Sequence, residues 1–445
     1  MTVTREARLR RMLEGSPYVS YLYSYPHKTA HRPLDPAPPL EALWRDERRG
    51  ALFLYLHVPF CATHCGYCNL FSNKSRIRPE QVSGFLSAVE RQAAVVRAAL
   101  GQGAGFARFA MGGGTPTVLG LDGLARALDV IGGVMGADLH AIPACVEVSP
   151  ETTDHEKLAL LRGRGIDRIS VGIQSFEPAE LVALRRRQRP DAIHAALEAV
   201  RALGFPTLNI DLIYGIEGQT EASFDRSLSE TLRHRPEEVF LYPLYVRPLT
   251  GLGLSARQWD DQRLALYRAG RARLLAAGYR QLSMRMFTLH GPREAAPEYH
   301  CQEDGMIGLA CGARSYTERL HYSTPWAVSP RAVDELIEAY IARDRASFAR
   351  AEHGIRLDEE DRRRRHVILS LLQAEGLALA GYRRRFAGDA LDELPELRAL
   401  EPAGLARVEG GRLVLTEAGL ERSDLIGPWL HSDRVQALMD AYDLR

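Results

Sequence analysis

Leu52-Phe53-Leu54-Tyr55-Leu56-His57-Val58-Pro59-Phe60-Cys61-Ala62-Thr63-His64-Cys65-Gly66-Tyr67-Cys68 runs a short, mostly apolar segment straight into three closely spaced cysteines. Such a run, ended by Pro59, reads as a buried strand. Outward from it, strand and helix alternate. Further strands are expected at Phe106–Met111, Cys145–Val148, Arg168–Ile173, Thr207–Ile213 and Val239–Tyr245. Between them, apolar residues at three- and four-residue spacing predict helices over Glu80–Leu100, Leu121–Val134, Asp154–Arg164, Asp191–Leu203 and Glu221–Arg233. Six alternations imply an α/β fold with a parallel sheet wrapped by helices, a barrel or part of one. A helix (Trp259–Ala277) and a strand (Tyr279–Met286) follow, then an irregular stretch to about Pro330.

The flanks read differently. Residues 1–50 lack clear periodicity and are rich in Tyr and Pro. Beyond Ala332 the pattern is mostly helical (Ala332–Ala342, Asp358–Gln373, Leu377–Phe386). It ends in a hairpin signal, Leu405–Val408, Gly410–Gly411 and Leu413–Thr416, as in a winged helix. The expected division is therefore 1–50, 51–330 and 331–445.

Charge and composition narrow the function. Arg and Lys (57) balance Asp and Glu (56), and the net charge of +1 gives no overall field toward nucleic acid or anionic lipid. Only Lys28, Lys74 and Lys157 are lysines, so the arginine clusters reflect a general preference for arginine. A nucleic-acid role would rest on Arg362–Arg365 and the C-terminal pattern alone. No apolar run reaches membrane-spanning length and Met1–Leu13 has no apolar core, so a cytoplasmic protein with no membrane partner is expected. Six cysteines, three crowded into eight residues, point to metal in such a compartment.

The C-x3-C-x2-C spacing suits a [4Fe–4S] cube in which three thiolates bind three irons and the fourth iron lacks a protein ligand. A structural zinc with His57 or His64 as fourth ligand is the alternative, although zinc sites usually pair two C-x2-C knuckles or add a distant His pair. The motif resembles that of the radical S-adenosylmethionine (SAM) superfamily. The run Leu54–Cys61 is similar to oxygen-independent coproporphyrinogen III oxidases and their relatives, among them heme chaperones and class C methyltransferases. The resemblance spans about residues 50–320, with a weaker echo beyond.

That resemblance implies a partial (β/α)6, TIM-like barrel with an N-terminal extension and a small, mostly helical, winged-helix-like C-terminal domain. It implies a [4Fe–4S] cluster on Cys61, Cys65 and Cys68, whose open iron is chelated by SAM. Reductive cleavage of SAM then yields a 5′-deoxyadenosyl radical that takes a hydrogen atom from an organic substrate. It further implies that Tyr55, Tyr67, Gly113 and Glu147 contact this cofactor, and that Gly114, Thr115, Gln174, Arg186 and Asp211 contact a second SAM. Tyr55 and Gln302 are the implied catalytic residues, and a flavodoxin- or ferredoxin-type protein the implied electron donor.

Each residue also has a plainer reading. Gly112-Gly113-Gly114-Thr115 follows a strand, where glycine N–H groups can bind a carboxylate, or it is simply a loop. Glu147 ends a strand and suits an amine or ribose, or it is a solvated carboxylate. Leu184-Arg185-Arg186-Arg187 is a binding element or a solvated helix face. Tyr18–Lys28, with four tyrosines, a His and a Lys, lines a pocket for an aromatic or acidic substrate or packs on the barrel wall. Cys301 and Cys311 are functional thiols or packing residues, and Cys145 is expected in the core.

Two departures leave the substrate open. The oxidases carry a further cysteine where Leu70 stands. The heme chaperones carry a His-Asn…Tyr-Trp pattern, whereas here His300 precedes Cys301. Oxidation of a porphyrin, methyl transfer and heme carrying are all compatible with these residues.

Overall fold

The computed structural model describes residues 4–22, 24–73, 77–247, 250, 252, 262–289, 291 and 299–443. Six strands form its centre: β1 (Leu52–Val58), β2 (Phe106–Gly113), β3 (Ala144–Val148), β4 (Arg168–Gln174), β5 (Thr207–Tyr214) and β6 (Glu238–Pro243). They neighbour one another in chain order, and every pair is parallel. Helices connect them, including Pro79–Leu100, Gly120–Asp129, His155–Gly163, Pro190–Ala202 and Glu221–Arg233. This is the partial barrel that the alternation implied.

Successive side chains of a strand point to opposite faces. In β1, Leu52, Leu54, Leu56 and Val58 are fully buried in the main apolar core. Phe53, Tyr55 and His57 therefore take the other face, where all three line one cavity. The same parity holds onward: Val146 and Val148 join the core while Glu147 faces the cavity. Leu208, Ile210 and Leu212 join the core, while Asn209 and Asp211 occupy the alternate positions. One face of each strand holds the fold together, and the other carries polar groups inward.

Three expectations need correction. Tyr279–Met286 is not one strand: Arg280–Gln281 and Met286–Thr288 form an antiparallel hairpin, and the second of them pairs with β6. The Ser283 hydroxyl accepts from the Met286 N–H at 3.2 Å, which stabilises the turn. The expected helix there is seen from Gln262 to Ala276, and its positions 259–261 lie outside the described residues. Nor is the stretch before Pro330 irregular. Met306–Leu309 adds a parallel strand on the other side of β1, and Arg314–Tyr316, Leu320–Ser323, His353–Arg356 and Arg32–Pro33 continue the sheet antiparallel. The barrel stays open between the hairpin and this extension.

Helix Pro330–Ala342 packs on helix Pro79–Leu100, where the Arg91 guanidinium donates to the Ile341 carbonyl at 2.7 Å. A second apolar core begins at Ile355 and runs to Val435. It gathers the helices Glu359–Leu371 and Leu379–Phe386 and the hairpin Ala406–Glu409/Arg412–Leu415. Gly410 and Gly411 both have positive φ (57° and 74°), which a two-residue turn of this hand requires. Leu9, Tyr25 and Ala30 of the N-terminal region are buried in this second core, so the two ends of the chain pack together. Among the described residues no helix is long and apolar enough to cross a membrane.

Candidate active site at the barrel mouth

The cluster loop leaves the C-terminal end of β1 and is tied on both sides. Gly66 N–H donates to the Leu184 carbonyl at 2.8 Å, and the Gly66 carbonyl accepts from Leu252 N–H at 2.7 Å. Arg186 donates to Cys65 Sγ at 3.1 Å and to the Tyr67 hydroxyl at 3.4 Å, and to the Gly172 carbonyl. Thr115 Oγ1 donates to Cys61 Sγ at 3.8 Å. No cysteine is in a disulfide. Among the described residues no three His, Cys, Asp or Glu side chains converge on a single-ion position. His57 is also committed elsewhere: Nε2–H donates to the Phe71 carbonyl at 2.7 Å, and Nδ1 accepts from the Tyr55 hydroxyl at 3.1 Å. Burial holds the imidazole near pKa 4, hence neutral, as this arrangement demands.

The glycine run works through closeness rather than as an open anion nest. Gly114 N–H is taken by the Val58 carbonyl and Thr115 N–H by the Phe60 carbonyl, each at 2.7 Å. Gly113 N–H donates to Glu147 Oε2 at 3.1 Å. A Cβ at Gly112 would collide with the Glu147 carboxylate, and one at Gly113 with the His57 ring. Bare backbone is what lets these two groups stand side by side. Glu147 opens onto the cavity but is otherwise surrounded by protein, and this desolvation raises its pKa to about 7. A carboxylate on the cavity wall with one backbone donor is suited to a cationic or amine-bearing ligand.

Deeper in the barrel, Asn209 donates to Ser170 and to Asp211, both at 2.8 Å, and burial raises the Asp211 pKa. Gln174 ends β4 at a register shift with φ +74°, a conformation few non-glycine residues adopt. Such backbone strain clusters at functional sites. Cys145 is not in the apolar core. It faces inward and accepts from Arg168 at 2.9 Å.

Above these residues lies a cavity of about 820 Å³. Its walls come from three separate parts of the chain: the barrel, the segment Ser20–Thr29, and Arg365, Leu369 and Met439 near the C-terminus. Tyr21, Tyr25, His27 and Lys28 line it, while Tyr18 packs against Tyr214 and Tyr23 lies outside the described residues. Among the described residues Lys28, Arg247, Arg314 and Arg365 are set against a single carboxylate, Glu147. Lys28 Nζ stands 3.9 Å above the Trp326 ring. Burial, then Arg314, pushes the Lys28 pKa well below its usual value.

Sequence reasoning reached Lys28 but missed Arg247, Arg314 and Arg365, because no motif links positions so far apart. Gln302 is not on the cavity wall. Its amide donates to the Leu369 carbonyl at 3.4 Å, and Cys301 lines the cavity instead. Arg362–Arg364 pair with Glu318, Glu393 and Glu396, so that cluster is consumed inside the protein. Cys311 is wholly buried.

Residues 55–230 match the radical SAM superfamily, and residues 357–421 match the HemN C-terminal domain. With the open parallel barrel and the three-cysteine loop at its mouth, the chain belongs to the radical SAM superfamily. Within that superfamily it belongs to the HemN-like branch. It is 29% identical to the oxygen-independent coproporphyrinogen III oxidase of Pseudomonas aeruginosa, a match covering 92% of this chain and 91% of that one. It is 28% identical to the heme chaperone HemW of Bacillus subtilis, over 59% of this chain and 70% of HemW. Its fold follows the solved coproporphyrinogen III oxidase (HemN) of Escherichia coli at TM-score 0.76 and 22% identity, over 95% and 98% of the two chains. Membership implies a [4Fe–4S] cluster and SAM.

Proposed function

We propose that this chain is a radical SAM enzyme of the coproporphyrinogen oxidase type, acting on a tetrapyrrole that bears several carboxylates. The observation that carries this reading is the cavity, where among the described residues Lys28, Arg247, Arg314 and Arg365 face the one carboxylate of Glu147 and Tyr21, Tyr25, Phe53, Tyr299, Tyr316 and Trp326 form the walls. Aromatic walls suit a broad apolar ring system, and the cations suit acidic side chains around it. The similarity to the Pseudomonas oxidase also covers 92% of this chain.

In this reading Cys61, Cys65 and Cys68 hold the cluster. Tyr55, Tyr67, Gly113 and Glu147 hold one SAM, with Glu147 accepting its amine. Gly114, Thr115, Gln174, Arg186 and Asp211 are assigned to a second. When bound, cluster and cofactor supply hydrogen-atom abstraction from a substrate carbon. His57 keeps the Tyr55 hydroxyl and the Phe71 carbonyl in place beside the cluster loop. The Ser20–Thr29 segment and the C-terminal domain keep water from the reacting carbon.

The test is anaerobic reconstitution with iron and sulfide, then incubation with SAM, dithionite and coproporphyrinogen III. Formation of 5′-deoxyadenosine with loss of carbon dioxide is expected. Production of S-adenosylhomocysteine instead would make the chain a methyltransferase. A heme carrier is the second reading, favoured by the likeness to HemW, and a stable one-to-one complex on titration with hemin without turnover would decide for it.

A further inference from the structure

The cations of the cavity are not equivalent. Arg365 is engaged by the protein itself: its guanidinium donates to the Gln302 carbonyl at 3.0 Å and to the Cys301 carbonyl. Arg247 lies against the Tyr245 ring, 4.6 Å from its centre. Lys28 and Arg314 come from opposite ends of the chain and are brought to one place. Arg314 Nη1 donates at 3.0 Å to the hydroxyl of Ser24, which belongs to the same N-terminal segment as Lys28. A short turn fixes Lys28: Ala30 N–H donates to the His27 carbonyl at 2.9 Å, and His31 N–H to the Lys28 carbonyl at 3.1 Å. The Lys28 ammonium lies over Trp326, and the charged groups that act on it are Arg314 and Cys68, with no carboxylate among them. Both cations stand at the cluster end of the cavity. They act on His57, whose ring is so close to Gly312 that a Cβ there would come within 2.7 Å. The same ring donates to the carbonyl of Phe71, on the loop that leaves Cys68.

We infer that Lys28 and Arg314 form a subsite for one carboxylate of the tetrapyrrole, and that Lys28 determines specificity by holding an acidic edge of the ring at the cluster end. The inference rests on the tetrapyrrole reading given above. An ammonium held beside a guanidinium, with no carboxylate acting on it, is unfavourable until an anion reaches it. A carboxylate placed between the two gains charge-assisted hydrogen bonds from both. The Trp326 ring under Lys28 and the Tyr316 ring 5.9 Å from the Arg314 guanidinium suit the flat apolar body that carries the carboxylate. The methionyl carboxylate of SAM has the same chemistry, so the experiment separates the two sources.

The experiment measures equilibrium binding to the reconstituted full chain with two fluorescent probes. Coproporphyrin III keeps the carboxylates on a stable ring, and its tetraamide has the same ring without the charges. Lys28→Met, which keeps the apolar stem over Trp326, should lose about tenfold in affinity for coproporphyrin III and nothing for the tetraamide. Lys28→Arg should keep most of the affinity, and Arg314→Met should repeat the pattern of Lys28→Met. Affinity for SAM, read by equilibrium dialysis, should be the same in Lys28→Met as in the unaltered chain. The inference is overturned if Lys28→Met binds coproporphyrin III as tightly as the unaltered protein, if it weakens both probes alike, or if it loses affinity for SAM instead. An unaltered protein that binds neither probe would overturn the tetrapyrrole reading along with it. Binding that depends on Lys28, without 5′-deoxyadenosine or carbon dioxide on incubation with coproporphyrinogen III, would remove the oxidase assignment and still support the subsite.

Discussion

Glu147 and Gly113 show how single residues set the chemistry. Glu147 has its pKa raised to about 7 by burial, so the folded protein holds a proton there that the unfolded chain, near the ordinary carboxylate value, has already lost. Stability from this group is therefore lost as pH rises from that ordinary value through about 7, and the penalty is complete above it. Glu147→Gln should raise the Tm of the cofactor-free protein at pH 8 by roughly 1–2 °C and leave it nearly unchanged at about pH 4, below the ordinary carboxylate value, read by scanning calorimetry. At Gly113 (φ +108°) alanine would meet the His57 ring, whereas at Gly120 (φ +73°) it would meet open space. Gly113→Ala should thus cost roughly 2–4 kcal/mol and Gly120→Ala about 1 kcal/mol, measured by urea denaturation. The cysteines were legible in the sequence because cluster chemistry dictates their spacing. Arg247, Arg314 and Arg365 were not, since only the folded chain brings them to one cavity.

Elements were legible where one face is buried in the core and the run is long enough to show it. The six parallel strands read as apolar runs, and their limits differ from expectation by a residue or two. The antiparallel extension was hidden for the opposite reason. Arg314–Tyr316 and Leu320–Ser323 are three and four residues long, too short to show a period, and their pairing is decided by neighbours far along the chain. The segment over the cavity is held the same way. Tyr25 donates to Asp361 at 2.8 Å and accepts from the Ser432 N–H at 3.2 Å, both in the C-terminal domain. Tyr25→Phe should loosen it by about 1–2 kcal/mol. Limited trypsin digestion would report this as faster cleavage at Lys28, with the barrel fragment persisting.

Across the whole molecule, one buried ion pair joins the parts. Arg285, on the turn beside β6, pairs with Asp424 of the C-terminal domain, and both are almost fully buried. Tyr245, on the cavity wall, also donates to Asp424, and Ser20 N–H donates to the Asp424 backbone carbonyl at 3.1 Å. Asp424→Ala leaves a buried guanidinium without a counter-ion and should cost roughly 3–5 kcal/mol. Hydrogen exchange at Ser20–Leu22 should accelerate more than exchange in β1–β5. The tie between Tyr25 and these two partners also sets an order on assembly. They lie 336 and 407 positions further on, so in a growing chain Tyr25 meets them only when synthesis is well advanced or nearly finished. This closing tie over the cavity is accordingly among the last contacts the chain can make.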